Sequence, residues 1–582
     1  MDVAGGAAIG AGILRAVGTR LRRVALVLMA AAVPVVSQSS LPAPAGAPPA
    51  GIQQLAAEKR WTEMVDALRD VAPKDADIDY FYGSALANLG RWEEARLVFL
   101  AGRRLAPHDK RFPIELAGVA FKRKCYASSA VWLRRALRID PEDSYANDFL
   151  GTVYFLEGNL EAALKYWNRV GKPQIRTVET DPPLRIRPAL LDRALTFAPA
   201  SMLPLPDLVT SQARVAGLEV FPVARFQLAA RPGENFDLIL DFQERNGWGS
   251  SPWEALLGTF SGLAYQTIYP AYFNMGGAAV NLTSLVRWDA QKRRIEAGLS
   301  APLRQNPKWR YRIGTDLRNE NWDIRDPLAG PAPPLGSLNL RREAGSVEAV
   351  AFNSGRWGWS AGFELSHRDY RNVLPGPALT SDFLLPGVQL KQYAGIHYDP
   401  LRWPEHRLVL SSAASYQVGR IWSQPAQAFA KVQGSLGVHW LPRSQGDDYE
   451  TRVRTRAGGT AGQVPFDELY MLGMERDNDL WMRAHVGTRD GRKGNAPLGR
   501  RYFLANSEFD KNLYSNGLFT VKLGPFLDSG KITDPSGTLG VRKWMWDTGA
   551  QATVRVLGVG ITFIYGKDLR TGNNAFYFTA GR

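Results

Sequence analysis

From about residue 250 onward the chain alternates apolar and polar residues at period two, over stretches longer than the strands of ordinary globular domains. Ile295, Ala297, Leu299 and Ala301 share one parity, while Arg294, Glu296, Gly298 and Ser300 share the other. The same split recurs in Trp357, Trp359, Ala361, Phe363 and Leu365 against Gly358, Ser360, Gly362 and Glu364. It recurs again in Tyr449, Thr451, Val453, Thr455 and Ala457 against Glu450, Arg452, Arg454 and Arg456. Side chains of a strand point alternately to opposite faces, so each stretch is a strand with one greasy and one polar side. Strands of about 10 residues or more with that split suit a transmembrane barrel, which closes so that its backbone is satisfied in lipid. A soluble sandwich or propeller is the alternative, and it seldom needs strands this long. Thirteen of the 17 tryptophans lie at or beyond Trp248, consistent with interfacial aromatic girdles. About fifteen candidate strands run from 256–267 to 574–582. Single-chain bacterial barrels take even numbers, so sixteen are expected.

Composition supports the pattern and narrows the partners. Of the 582 residues 45% are hydrophobic and 22% charged, which fits neither a disordered chain nor a helical multi-span protein. The single cysteine, Cys125, forms no internal disulfide and supplies no thiolate zinc site. The net charge of +15 is spread along the chain, with no basic block interleaved with stacking aromatics, so no nucleic-acid partner is expected.

The N-terminus reads as an address. Arg15, Arg20, Arg22 and Arg23 precede an apolar run from Val24 to Val36, and Ser37, Gln38, Ser39 and Ser40 follow. That layout is a signal peptide over 1–38, with a membrane anchor as the alternative. Residues 39–51 form a Pro/Ala-rich linker. The mature chain is expected to leave the cytoplasm.

Residues 52–173 repeat at period 34. Gly83, Ala117 and Gly151 recur in register, as do Gly90, Lys124 and Gly158, and Phe99, Leu133 and Trp167, with Pro107 and Pro141 closing two repeats. The segment resembles a tetratricopeptide solenoid, with repeats at 76–109, 110–143 and 144–174 and an incomplete one at 52–73. Such arrays bind peptides or partner proteins, or serve as spacers. Cys125 falls on a helix of the middle repeat and is expected in its core. Residues 174–246 read in the order β-α-α-β-β and resemble a polypeptide-transport-associated domain at Ala213–Val223 and Phe236–Arg245. That resemblance implies an α/β module with an edge strand for extended clients, and a plain adapter is the alternative.

Residues 247–582 resemble the outer-membrane assembly and two-partner-secretion barrel superfamily, the bacterial surface antigen family. Three segments carry the resemblance. Val464–Gly473 followed by Leu480–His485 is similar to that family's long sixth loop, whose tip reads Arg-Gly-aromatic. Here the tip reads Arg483-Ala484-His485, with Gly473 preceding it. Phe503–Phe509 is similar to its glutamate-bearing strand through Glu508, and Phe526-Leu527-Asp528-Ser529-Gly530 matches its Phe-x-Asp-x-Gly strand. The resemblance implies that Arg483 reaches inward and pairs with Glu508 and Asp528. A guanidinium forks onto carboxylates and keeps its charge when partly buried, so the pairing is chemically sound. The alternative is that all three are ordinary polar residues of the interior. The end of the chain, with Phe576 and Phe578, resembles the family's closing strand.

No enzyme chemistry is read. His108, His367, His397, His406, His439 and His485 form no metal-spaced pair, and no Gly-x-Ser-x-Gly elbow occurs. Gly524–Lys531 imitates a phosphate loop, but its spacing is one residue too long and Ile532 stands where a hydroxyl is needed. No cofactor is expected. The expected partners are outer-membrane lipid, unfolded or exported polypeptide clients, and periplasmic accessory proteins reached through the repeats. The expected function is insertion or translocation of polypeptides at a bacterial outer membrane, with the N-terminal domains in the periplasm. A passive or gated pore, or a surface adhesin, is the alternative.

Overall fold

The computed structural model describes residues 51–71, 75–233, 235–326, 333–377, 379, 381–443, 447–515, 519–534, 539–556 and 559–581. Residues 1–38, expected as a signal peptide, nearly all of the expected linker 39–51, and Pro73 lie outside them. Among the described residues no helix is long and apolar enough to cross a membrane.

The chain divides into two compact units. The first holds residues up to Glu179 together with Pro199–Leu205 and Gln227–Ile239. Its described residues begin with eight helices: α1 Ile52–Ala57, α2 Trp61–Leu68, α3 Ala76–Asn88, α4 Trp92–Leu105, α5 Arg111–Lys122, α6 Tyr126–Ile139, α7 Ser144–Leu156 and α8 Leu160–Trp167. The 34-residue recurrence has a packing cause. A Cβ on Gly83 would come within 2.6 Å of Phe99, and one on Gly151 within 2.3 Å of Trp167, so the small residue lets a large ring of the next helix lie against the backbone. Asp75, Asp143 and Asn159 cap helices α3, α7 and α8 by accepting from the N–H groups of Ile78, Ala146 and Ala162. Gly90, Lys124 and Gly158, again 34 apart, all take positive φ in the turns between paired helices. Glycine does this freely, and Lys124 at φ 60° does it against its Cβ. Cys125 is exposed, not buried as expected, because it occupies the cap before α6 and its side chain leaves the core. In the same unit the Phe236 ring packs edge-on against Phe155 and tilted against Trp167.

The second unit holds Thr180–Ala198, Pro206–Phe226 and Leu240–Arg582. Helix α9 spans Pro188–Ala194 and α10 spans Leu205–Gly217. After α10, Glu219 turns through a positive φ and its carboxylate meets Arg310, Arg312 and Ser300.

Most of this unit is one antiparallel sheet. Eighteen described strands belong to it. Two of these, Thr488–Arg489 and Arg492–Lys493, form a hairpin inside a long loop, which leaves sixteen in the wall. Consecutive strands pair from Val280–Trp288 to Tyr449–Gly462, which pairs directly with Arg501–Ser515 across the intervening loop. The strand order brings the last strand, Asn574–Gly581, next to Thr267–Ile268. The expected first strand, 256–267, is instead a helix, α11, over Pro252–Phe260, so the first edge strand is only two residues long. Ser251 accepts from the Glu254 N–H and Pro252 opens the helix, a start signal that outweighs the apolar run.

The sheet inverts the usual sorting of residues. Ile295, Val347, Phe363, Leu365, Val432 and Leu436 are about half exposed, while Arg310, Arg342, Arg368, Lys391 and Lys431 on the opposite face are buried. An apolar face opposite a charged one is what lipid on one side and polar contents on the other select.

Candidate functional site

The interior polar face is filled by the loop of residues 463–500. Its tip carries Arg483, Ala484 and His485. Arg483 donates from Nε to Asp528 Oδ2 at 2.8 Å and from Nη2 to Oδ1 at 2.5 Å, the two-pronged grip that suits a guanidinium. Its Nη1 donates to Glu508 at 2.8 Å and to Gln551 at 2.9 Å, and its backbone N–H donates to Asp528 at 3.1 Å. The guanidinium also lies 3.9 Å over the ring of Phe526. Arg483 is 2% exposed and Asp528 fully buried. Burial alone would loosen the arginine's proton, but Asp528 and Glu508 more than reverse that, so the group stays charged.

Strand register explains why these acids converge. Asn506 stands opposite Asp528, Asp528 opposite Asp547, and Asp547 opposite Asp568. Three carboxylates therefore line up across three neighbouring strands, an arrangement that repels itself unless cations meet it. Arg483 meets the first. His485 meets the other two, with Nδ1 3.2 Å from Asp547 and Nε2 3.8 Å from Asp568. The Ala484 N–H donates to Asp547 at 2.7 Å. Burial would lower the His485 pKa, but Asp547 and Asp568 prevail and raise it above the ordinary imidazole value.

The tip tolerates its departures from Arg-Gly-aromatic for visible reasons. Ala484 does not take a positive φ, so no glycine is required there. The glycine that matters is on the wall, where a Cβ on Gly566 would sit 2.4 Å from the Arg483 carbonyl. Gly530 likewise leaves room for Met482, and Gly473 for Ala496 and the His485 carbonyl.

Asp547, Asp568 and Gln551 were not picked out from the sequence. A signal existed: Asp528-Ser529-Gly530 and Asp547-Thr548-Gly549 repeat one spacing, and Gly566-Lys567-Asp568 is its mirror. Each pairs an acid with a gap on the same face.

Two further anchors of the loop were also missed. Asp477 accepts from Arg287, Arg294 and Lys493 at 2.7–3.2 Å. Burial would raise its carboxyl, and these three cations hold it well below the carboxylate range. Lys493 also donates to Glu320 at 2.7 Å. Nearer the loop's start, Glu468 meets Lys391 at 2.9 Å and Lys431 at 3.2 Å, while Asp467 lies 3.1 Å from Arg368 and 3.3 Å from Arg342. Phe576 is 68% exposed on the closing strand. The ring of Phe578 lies 4.4 Å from that of Tyr265, whose hydroxyl donates to the Phe578 carbonyl at 2.9 Å.

No family model matches the chain, and no curated protein matches it. Among solved structures it is similar to BamA from Haemophilus ducreyi lacking POTRA domains 1–3, at 11% identity and a TM-score of 0.41, covering 70% of this chain and 84% of that one. It is similar to CdiB from Escherichia coli at 12% identity and a TM-score of 0.42, covering 70% and 75%. It is similar to CdiB from Acinetobacter baumannii at 11% identity and a TM-score of 0.41, covering 72% and 81%.

Proposed function

We propose that the sheet is a closed transmembrane barrel in a bacterial outer membrane, and that the protein inserts or translocates polypeptides there. The observation that carries this reading is the charged interior loop, whose Arg483 is seated on Asp528 and Glu508 inside a sheet with an apolar outer face. In this reading the helices of 52–173 are a tetratricopeptide-like array that receives clients or accessory proteins in the periplasm. Residues 174–246 are a polypeptide-transport-associated-like module that passes extended segments to the barrel. No cofactor or energy source is required, because strand pairing at an opening seam does the work. The seam lies between Thr267–Ile268 and Asn574–Gly581, where the short first edge offers few ladder bonds.

Depletion of the protein in its native cell tests the reading. A broad fall in folded outer-membrane proteins marks a general assembly factor, and loss of one or a few exported proteins marks a dedicated translocator. If neither changes, the reading fails. A disulfide engineered across the seam abolishes activity and its reduction restores it; full activity of the cross-linked barrel would exclude seam opening. A passive or gated pore is the second reading, favoured by the polar cavity of about 210 Å³ between loop and wall. Large stable currents from the purified barrel that ignore Arg483→Ala would establish it.

A further inference from the structure

Helix α11 lies at the seam with its greasy side uncovered. Trp253, Leu256, Leu257, Phe260 and Leu263 follow at helical spacing, and they are 69%, 51%, 38%, 48% and 54% exposed. The opposite face is built into the protein. Glu254 is fully buried, accepting from Arg245 at 3.1 Å and from the Ser250 N–H at 2.9 Å, and Gly258 is buried beside it. The helix therefore has one fixed orientation, with its apolar stripe turned outward. It touches the first edge strand, Thr267–Ile268, and also Val559–Asp568, the strand that pairs with the last one. The Thr259 carbonyl accepts from the Tyr269 N–H at 2.8 Å, and the following turn carries Tyr265 onto Phe578 of the last strand.

Five large apolar side chains in one stripe need an apolar occupant. Continuity identifies it. The helix leads directly into the wall whose outer face exposes Val432, Leu436 and Phe563, and Trp248, itself 58% exposed, packs on Tyr272 beside it. From this we infer that α11 is an interfacial membrane helix, bound through its stripe to lipid at the headgroup–acyl boundary and laid across the seam as a brace. The inference rests on the barrel reading above. Tryptophan and phenylalanine flanking leucines on one face match the apolar half of such helices, while here the opposite face is anchored in the protein instead of carrying charge to water. Because α11 touches the first edge and the turn after it bonds Tyr265 to Phe578 of the last strand, separating those edges requires the helix and its turn to slide or lift in the lipid. Lipid packing at this spot thereby sets how readily the seam parts.

The test uses the full chain with Cys125→Ser, reconstituted in phosphatidylcholine/phosphatidylglycerol vesicles. Nitroxide labels are placed through Leu256→Cys, Leu257→Cys or Phe260→Cys, and on the wall through Val432→Cys or Leu436→Cys. Collision with molecular oxygen, which concentrates in lipid, is compared with collision with a water-soluble nickel chelate. The expected result is oxygen dominance at the helix sites as at the wall sites. Nickel dominance at the helix with oxygen dominance at the wall overturns the inference and leaves the barrel reading intact. Nickel dominance at both overturns the barrel reading and the inference with it.

Discussion

The two halves of the wall hold the same loop by mainly opposite means, the exceptions being Glu320 and Asp323 on the cationic half, which meet Lys493 and Arg492 of the loop. Strands from Val280 to Trp440 present cations, Arg287, Arg294, Arg342, Arg368, Lys391 and Lys431, and the loop answers with Asp467, Glu468 and Asp477. Strands from Arg501 to Asp568 present acids, Glu508, Asp528, Asp547 and Asp568, and the loop answers with Arg483 and His485. The difference is one of redundancy. On the cationic half each loop acid has several partners, and most wall cations have a second acid. On the acidic half, among the described residues, Arg483 alone forms an ion pair with the fully buried Asp528, so its loss has no substitute.

That asymmetry orders the expected effects. Arg483→Ala is the largest, because it strands Asp528 without a counterion; about 3–5 kcal/mol of stability should be lost, read as a lower midpoint in heat-dependent gel mobility. Asp477→Asn comes next, at about 1–3 kcal/mol by the same assay, since Lys493 keeps Glu320 and Arg294 keeps Asp316, and the cost falls on Arg287, whose ion pair with Asp477 is lost. If Asp477→Asn costs more than Arg483→Ala, the redundancy argument is wrong. Lys431→Met should cost about 1 kcal/mol or less, because Glu468 retains Lys391 and the methionine fills the space. The smallest is a pH slope. His485 has a folded pKa raised above the ordinary value of 6.5, so its contribution is complete below pH 6.5 and is lost as pH rises through the folded value. Midpoints measured from pH 5.5 to 9 should fall for the native chain and flatten for His485→Gln.

What was legible in the sequence follows the same division. Parity along a strand is local, so Ile295 and Phe363 declared their outward face without any knowledge of partners. The tip lock was legible because Arg483, Glu508 and Asp528 each sit in a local motif. The anchors at Asp477 and Glu468 were not, because their partners come from strands up to about 190 residues away, as with Arg287, and only register brings them together. The same holds for Asp547 and Asp568, whose alignment with Asp528 is a property of pairing, not of any one segment. The first strand failed for a different reason. Trp253, Leu256, Leu257 and Phe260 supply apolar residues at a spacing of three and four, a helical rhythm that was overridden by the strands after it.

The aspartate row also has a consequence for the order of assembly. Until the loop arrives, zipping Phe519–Thr533, Gly540–Val556 and Val559–Asp568 together means stacking three like charges a strand's width apart. Delivering Arg483 and His485 removes that repulsion. The final strands and the loop tip should therefore settle in one concerted step, with the tip acting as the counterion that licenses closure.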